Sequence, residues 1–486
     1  MKLEYSMTSD ALVREVKAVV REALVDSVRP MSRDAVVREA KVVMSDGCLG
    51  EESHMSSDAN VEEGCSMTNG LNAVVPANFL VEAIRLTSAV TPGRSLLPPL
   101  HYVVLEPLAR VLRVRANGLL GAEVTVKIPL PDAPVGRLAL EPSVWKILLK
   151  AKGEVTFSYK GKKQTIGWAG GSMEVPTPDV GNAVPCWVDA WPTNEKLEEK
   201  DTLFLNAARF GEALRRANVT APDRLQTSAV RLLRAKGYSD CELIAVDGYR
   251  FHLCPIIGQG VNHREWEDIG QVPGNLVDPI AAVLLSANDD FTLHVKEEWA
   301  RGRLGYDKKP IPDVKLRTCW RIQAQGNFFD YDVIVEGIEG QFPEYSRITP
   351  TKFDWMLKIP ASSWKTAIEP HKKAATGVEL ELTQEGNAED AVRLHFTSTN
   401  PDTQTPITSS LQIERECLTE PERGMTGVKS KFNPKYLLAL TSKVPKTANV
   451  TVAIQGPTMP SRFIVTGEPG AHLLIDAVIM PMHIEK

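Results

Sequence analysis

The sequence predicts an α+β protein in which one plan (helix, strands, helix, strands) is used three times over residues 71–486. Three observations carry this reading. Apolar residues recur at helical spacing in six places, three with a small or polar residue near the start and three with Pro at or near the first turn. Each helix of the second set runs into an alternating stretch long enough for a pair of strands. Length agrees, because 486 residues exceed what one hydrophobic core organises and several domains are expected.

Residues 1–70 stand apart from this plan. They carry a repeat with a 24-residue step, opening at Met7, Met31 and Met55, in which Asp10/Asp34/Asp58, Val13/Val37/Val61 and Glu15/Glu39/Glu63 keep register. Ser9-Asp10 and Arg33-Asp34 are placed to cap short helices that end at Pro30 and Gly47. Three such polar units are too few for a solenoid. The segment is read as a partly helical or disordered extension, either a docking tail or an upstream lengthening of the reading frame.

The opening helices are expected over Pro76–Val90, Leu205–Val219 and Pro360–Thr376, each with an i, i+3/i+4 apolar stripe. The later helices are expected over Leu140–Gly153, Val272–Ala287 and Phe432–Lys446. The strand pairs that follow are Val155–Trp168, Phe291–Tyr306 and Val450–Thr466. Polar and Pro-rich stretches at Pro192–Lys200 and 340–351 divide the chain into domains at 71–192, 201–345 and 353–486. Two additions interrupt the plan, Trp299–Trp320 with a basic loop at Asp307–Lys315, and Leu418–Lys431.

Composition is that of an ordinary globular protein, 43% hydrophobic and 24% charged. No apolar run is long enough for a membrane span, and charges spread through the N-terminus leave no signal-peptide core, so a cytoplasmic protein without membrane contact is expected. Seven Cys without C-x-x-C spacing read as reduced core thiols, including Cys241, Cys254 and Cys319. Neither a Cys/His cluster nor H-E-x-x-H is present, so no metal and no cofactor are expected. The net charge of −5 belongs to the leader, which holds eight Lys/Arg against thirteen Asp/Glu and leaves forty-eight of each beyond it. The six helices nevertheless carry +8 together, with only 272–287 negative. Solvated faces of amphipathic helices account for such charge as readily as a polyanion does.

Three further segments are informative in combination. Asp247-Gly248 in ELIAVDGYRFHL reads as a hairpin turn. Gln341–Pro350 (QFPEYSRITP) is an aromatic, Pro-bounded loop with one Arg. Leu473–Ile484 (LLIDAVIMPMHI) is apolar almost to the end, either a last core strand or a segment covered by a partner. In this order VDGYRF, FPEYSRITP and VIMPMHI resemble T-D-G-H-R-L, F-P-D-Y-R-R-V-x-P and V-x-M-P-M-R-L of the bacterial DNA polymerase III β subunit, the β sliding clamp. The resemblance covers about residues 70–486.

That resemblance implies three tandem clamp domains with helices lining the inside and antiparallel sheets outside, two chains closing head-to-tail into a ring. It implies a non-catalytic processivity factor around double-stranded DNA, topologically held and sequence-independent. A hydrophobic groove between the second and third domains would receive short motifs from the polymerase III catalytic subunit and the clamp loader. Carried over by motif, the groove residues are Arg224, Val246, Gly248, Tyr249, Arg250, Phe251, Pro343, Arg347, Ile348, Val478, Met480, Pro481 and Met482. Candidates to face DNA are Arg85, Lys146, Lys150, Arg209, Arg215, Arg216, Lys365, Lys372, Lys435 and Lys443, with Arg94 in the loop TPGRSLLP at a matching family position.

Departures from the family pattern are specific. Tyr249 stands for His, Phe251 for Leu, Ser346 for the first Arg and His483 for the Arg near the end, while Glu485-Lys486 extend past it. Arg115–Glu123 (RANGLLGAE) replaces the T-D-L-E stretch of the first domain. Two other readings stay open: a clamp-like paralogue that does not encircle DNA, and a β-rich hydrolase using carboxylates.

Overall fold

The structure, a computed structural model, describes residues 70–91, 98–118, 122–160, 163–176, 197–218, 229–236, 240–257, 266–300, 314–337, 348–374, 376–384, 391–414, 417–419, 429–467 and 472–482. Residues 1–69, Arg94, Arg224, the loop 338–347 with Pro343 and Arg347, most of the basic loop Asp307–Lys315, and His483 onward lie outside these residues.

One order of elements occurs three times. The first copy is β1 (Ala73–Pro76), α1 (Ala77–Ser88), β2 (Val103–Leu108), β3 (Val111–Asn117), β4 (Glu123–Pro129), β5 (Leu138–Leu140), α2 (Pro142–Leu148), β6 (Glu154–Lys160), β7 (Lys163–Trp168) and β8 (Gly171–Val175). The second is β9 (Leu197–Asn206), α3 (Ala207–Ala217), β10 (Ala229–Ala235), β11 (Cys241–Val246), β12 (Arg250–Ile257), β13 (Trp266–Pro273), α4 (Gly274–Ser286), β14 (Asp290–Ala300), β15 (Val314–Gln325) and β16 (Asp330–Glu336). The third is β17 (Trp355–Pro360), α5 (Ala361–Ile368), β18 (Val378–Gln384), β19 (Ala391–Thr399), β20 (Pro406–Glu414), an added β21 (Leu418–Thr419), β22 (Lys429–Phe432), α6 (Pro434–Ser442), β23 (Asn449–Ile454), β24 (Ser461–Thr466) and β25 (Leu473–Ile479).

Pairing repeats as well. In each copy the first strand pairs with the strand after the second helix, as β1–β6, β9–β14 and β17–β23. The strands after the first helix form a meander, and a further strand folds back onto the meander's first member. Successive copies are joined by ladders: β16 of the second pairs antiparallel with β4 of the first, and β25 of the third with β12 of the second. The result is an eight-stranded and a nine-stranded sheet spanning two copies each, flanked by two four-stranded sheets.

Local chemistry sets the helix starts. β1, β13 and β17 each end in Pro, which cannot donate to the ladder, and α1, α4 and α5 begin at the next residue. Asn206 caps α3 by accepting from the Arg209 N–H at 3.1 Å, and Asn433 caps α6 by accepting from Lys435 N–H at 3.0 Å. Asn206→Ala is therefore expected to lower stability by about 1 kcal/mol, read as a shift in the urea midpoint with an unchanged slope.

The apolar sides of the helices and one side of every sheet form a common core. In the second copy Phe210 meets Phe291 at 5.1 Å; in the third, Trp364 packs on Phe396 and Phe463, its indole N–H donating to Leu437 O at 3.2 Å. Three expectations need correction. α2 spans seven residues, much less than Leu140–Gly153. α5 stops at Ile368 and passes into a 3-10 turn, Glu369–His371, because Pro370 has no N–H to continue it. Phe291–Tyr306 is not a strand pair: β14 pairs with β15, which begins at Val314, so the addition extends this hairpin.

A candidate peptide groove and a basic helix face

The seam between β12 and β25 brings two of the sequence motifs together. Asp247-Gly248 makes the turn that aligns β12: Asp247 Oδ1 accepts from the N–H groups of Tyr249 and Arg250, both at 3.1 Å. Gly248 has φ +87°, a conformation that disfavours a side chain. The Met480 N–H then donates to Tyr249 O at 2.8 Å, and the Met482 N–H to Lys431 O at 2.7 Å, fixing the Met-Pro-Met end against both copies. The apolar C-terminal run is thus a central strand of the nine-stranded sheet. Removing Val478 and Ile479 would remove strand, so only Met480 onward is separable from the fold.

Strand parity decides which side chains share the outward face. Phe251 lies opposite Val478 and Val246, and Leu253 opposite Ile244 and Asp476, on the side away from the common core. Tyr249 and Ile348 are exposed, while Met480, Pro481 and Met482 are half-buried. Sequence reasoning omitted Ile244 and Leu253, although alternation through Val246–Ile244 and Phe251–Leu253 points to them. Arg250 is placed differently from Phe251. It lies on the other side of β12, with its Nε donating to Asp247 Oδ2 at 2.8 Å and its guanidinium 4.2 Å from the Tyr436 ring of α6. It ties the second copy to the third beneath the outward face of the seam.

The equivalent seam between β4 and β16 has opposite chemistry. There Thr125 faces Asp332 and Lys127 faces Asp330. Nearby, buried Arg115 bridges Glu106 and Glu123 at 3.2 and 2.9 Å, and burial is the largest influence on it, outweighed by these carboxylates, which hold its pKa up. An apolar outward face is found at the second seam and not at the first.

Two titratable groups sit close to the second seam. Glu242, one outward position beyond Ile244 on β11, has its pKa pushed up to about 7 by burial and then by Asp476 and Asp240. Asp476 is itself held by Arg462 through bonds of 2.8 and 2.6 Å. His252, on the core side, has its pKa lowered to about 3 by burial and the Arg250 charge. Its Nδ1 lies 3.1 Å from Arg216 O, so that nitrogen carries the proton of the neutral ring.

The basic helix residues divide into two groups. Lys146, Lys150, Arg209, Lys365, Lys372, Lys435 and Lys443 are exposed, and Arg215 is half-exposed. Lys365, Lys372 and Lys435 border an open groove between α5 and α6. Arg85 is held by Glu82 on its own helix, Nε to Oε2 at 2.9 Å. Arg216 is mostly buried: it pairs with Glu212 and donates to Lys443 O at 3.4 Å, which makes it a joint between copies. α4 exposes Asn275 and Asp278, so the basic face is uneven. Among the described residues no group of His, Cys, Asp and Glu is placed to hold a metal ion, and no helix is long and apolar enough to cross a membrane.

A thrice-repeated helix-and-sheet unit, joined by ladders between successive copies, is the sliding-clamp fold. Among solved structures the chain is similar to the DNA polymerase III β subunit of Thermotoga maritima, with TM-score 0.62 and 15% identity over 85% of this chain and 100% of that one. It is also similar to the sliding clamp of Pseudomonas aeruginosa bound to griselimycin, with TM-score 0.59 and 16% identity over 85% and 100%. The Bacillus subtilis sliding clamp gives 0.60 and 12% over 86% and 100%. No protein-family model and no curated sequence matches the chain.

Proposed function

We propose that this chain is a DNA sliding clamp. It encircles duplex DNA as a head-to-tail pair of copies and tethers a replicative polymerase and a clamp loader through short motifs seated at the β12/β25 seam. The role is non-catalytic. The observation that carries this reading is the contrast between seams: an Arg-held Asp (Asp332, Asp476) is common to both, but Asn117, Glu123 and Thr125 at the first are matched by Val246, Phe251 and Leu253 at the second, where Met480–Met482 close its end. An apolar row with adaptable Met side chains and few polar groups suits short linear motifs presenting one or two large anchors.

Exposed lysines on α5 and α6 supply a sequence-independent attraction for phosphates without base readout. Lys365→Glu with Lys435→Glu is expected to reduce retention on nicked circular DNA, most at low salt. The slope of log affinity against log salt should become shallower by roughly two. Unchanged retention and slope would remove these helices from the DNA-facing surface.

A further inference from the structure

Three equivalent positions follow from the pair that closes each meander turn, Asn117–Glu123, Val246–Phe251 and Thr399–Pro406. Four residues before the first member of each stand Arg113 on β3, Glu242 on β11 and His395 on β19. The neighbouring strand meets them with Glu106, Leu233 and Glu381. In the first and third copies a carboxylate therefore lies across from a nitrogen base, and Arg113 bonds Glu106 at 3.2 Å. In the middle copy the carboxylate has changed strands and lies across from leucine.

Glu242 is only 7% exposed, on the outward face that carries Ile244 and Val246. Among the described residues its carboxyl takes part in no hydrogen bond and no ion pair. The elements around it leave it so. Arg231 of β10, opposite Ile244, is held by Asp268 of β13 at 3.0 Å. β12 presents Pro255 opposite Glu242, and Asp240 lies just before β11. β25 brings Asp476, both of whose oxygens are taken by Arg462 of β24. Each arginine at this end of the face thus holds another carboxylate. A carboxylate kept from water without a partner is costly, and a ligand that brings a cation relieves that cost.

We infer that the peptide motif seated at the β12/β25 seam carries a lysine or arginine beside its apolar anchors, and that Glu242 receives it. The inference rests on the groove reading above and adds what the groove selects. Rows of outward side chains run Val246–Phe251–Val478, then Ile244–Leu253–Asp476, then Glu242–Pro255. A peptide whose anchors cover the first two rows brings its next side chain over the third, about 7 Å further along the strands. A lysine stem spans that distance, with its methylenes along Leu233 and Pro255 and its ammonium at the carboxyl. In the empty groove Glu242 keeps its proton to about pH 7. A bound cation favours the ionised form and displaces that proton, so affinity for such a peptide rises as pH rises through 7 and falls below it.

Isothermal titration of the full chain with two synthetic peptides tests this. Both carry a pair of leucine anchors, flanked on each side by lysine in one peptide and by norleucine in the other. The lysine peptide is expected to bind roughly tenfold tighter at pH 8 and to lose most of that advantage at pH 6, where Glu242 is largely protonated. At pH 7 its binding should release a fraction of a proton, read as a heat that varies with the ionisation enthalpy of the buffer. Glu242→Gln should bring the lysine peptide to the level of the norleucine peptide at both pH values, with thermal unfolding to check that the variant is folded. If the peptides bind alike at pH 8, and Tyr249→Ala with Met480→Ala weakens both, the cation site is absent while the groove stands. A lysine advantage that survives Glu242→Gln, or is the same at pH 6 and 8, belongs to another carboxylate and overturns the inference. If neither peptide binds, the groove reading falls with it.

Discussion

Tyr249→Ala combined with Met480→Ala is expected to weaken binding of an apolar clamp-motif peptide about a hundredfold while shifting the melting temperature by only a few degrees. Tyr249 is exposed and Met480 half-buried at the rim of the outward face, so neither belongs to the common core. Each large side chain that contacts a buried anchor contributes about 1.5 kcal/mol or more, and the loss of two gives the stated factor. The main-chain bond from Met480 to Tyr249 O survives both substitutions, so the strand end keeps its position. Phe251→Ala would confuse the result, because Phe251 is almost wholly covered and its removal leaves a cavity. Isothermal titration against a polymerase-derived peptide, with urea unfolding in parallel, separates binding from folding. Retention of affinity within threefold in a well-folded double variant would rule out this seam as the docking site.

The fold class was legible because its signals are local and repeated. Pro before or within the first turn marks helix starts at Ala77, Pro142, Gly274, Ala361 and Pro434, and Asp247-Gly248 marks the β11–β12 turn. The joins between copies carry no local signal: β4 meets β16, and β12 meets β25, across more than two hundred residues. For that reason LLIDAVIMPMHI alone reads as a last core strand or as a covered tail until its neighbours are known. Motif transfer also ignored parity. Arg250 and Phe251 are adjacent in VDGYRF, but a strand sends them to opposite sides, and only Phe251 reaches the outward face. Arg216 follows Arg215 on an exposed-looking helix end, yet packing against the third copy hides it. The apolar positions Ile244 and Leu253 lie outside VDGYRF but share the parity of Val246 and Phe251, so alternation alone makes them readable.

Glu242→Gln is expected to stabilise the protein by about 3 kcal/mol at pH 8 and by nothing at pH 4. The folded carboxyl holds its proton to about pH 7, above the unfolded reference of 4.5, because it is buried beside Asp476 and Asp240. As pH rises from 4.5 to 7 the unfolded chain releases a proton that the folded chain keeps, so stability falls through that window and then levels. His252 acts in the opposite sense. Its folded pKa of about 3 lies below the unfolded 6.5, so stability is lost as pH falls from 6.5 towards 3. Buried His371 is shifted down as well, by desolvation, and adds to this loss. Between 4.5 and 6.5 the slopes of Glu242 and His252 oppose each other, and the unmodified protein should show little pH dependence there from this pair. Glu242→Gln exposes the histidine slope, and His252→Gln, which keeps a donor near Arg216 O, exposes the carboxyl slope. Urea unfolding at pH 4, 6 and 8 reads all three proteins. Equal midpoints for Glu242→Gln and its parent at pH 8 would mean that the carboxyl at this seam ionises freely in the folded chain.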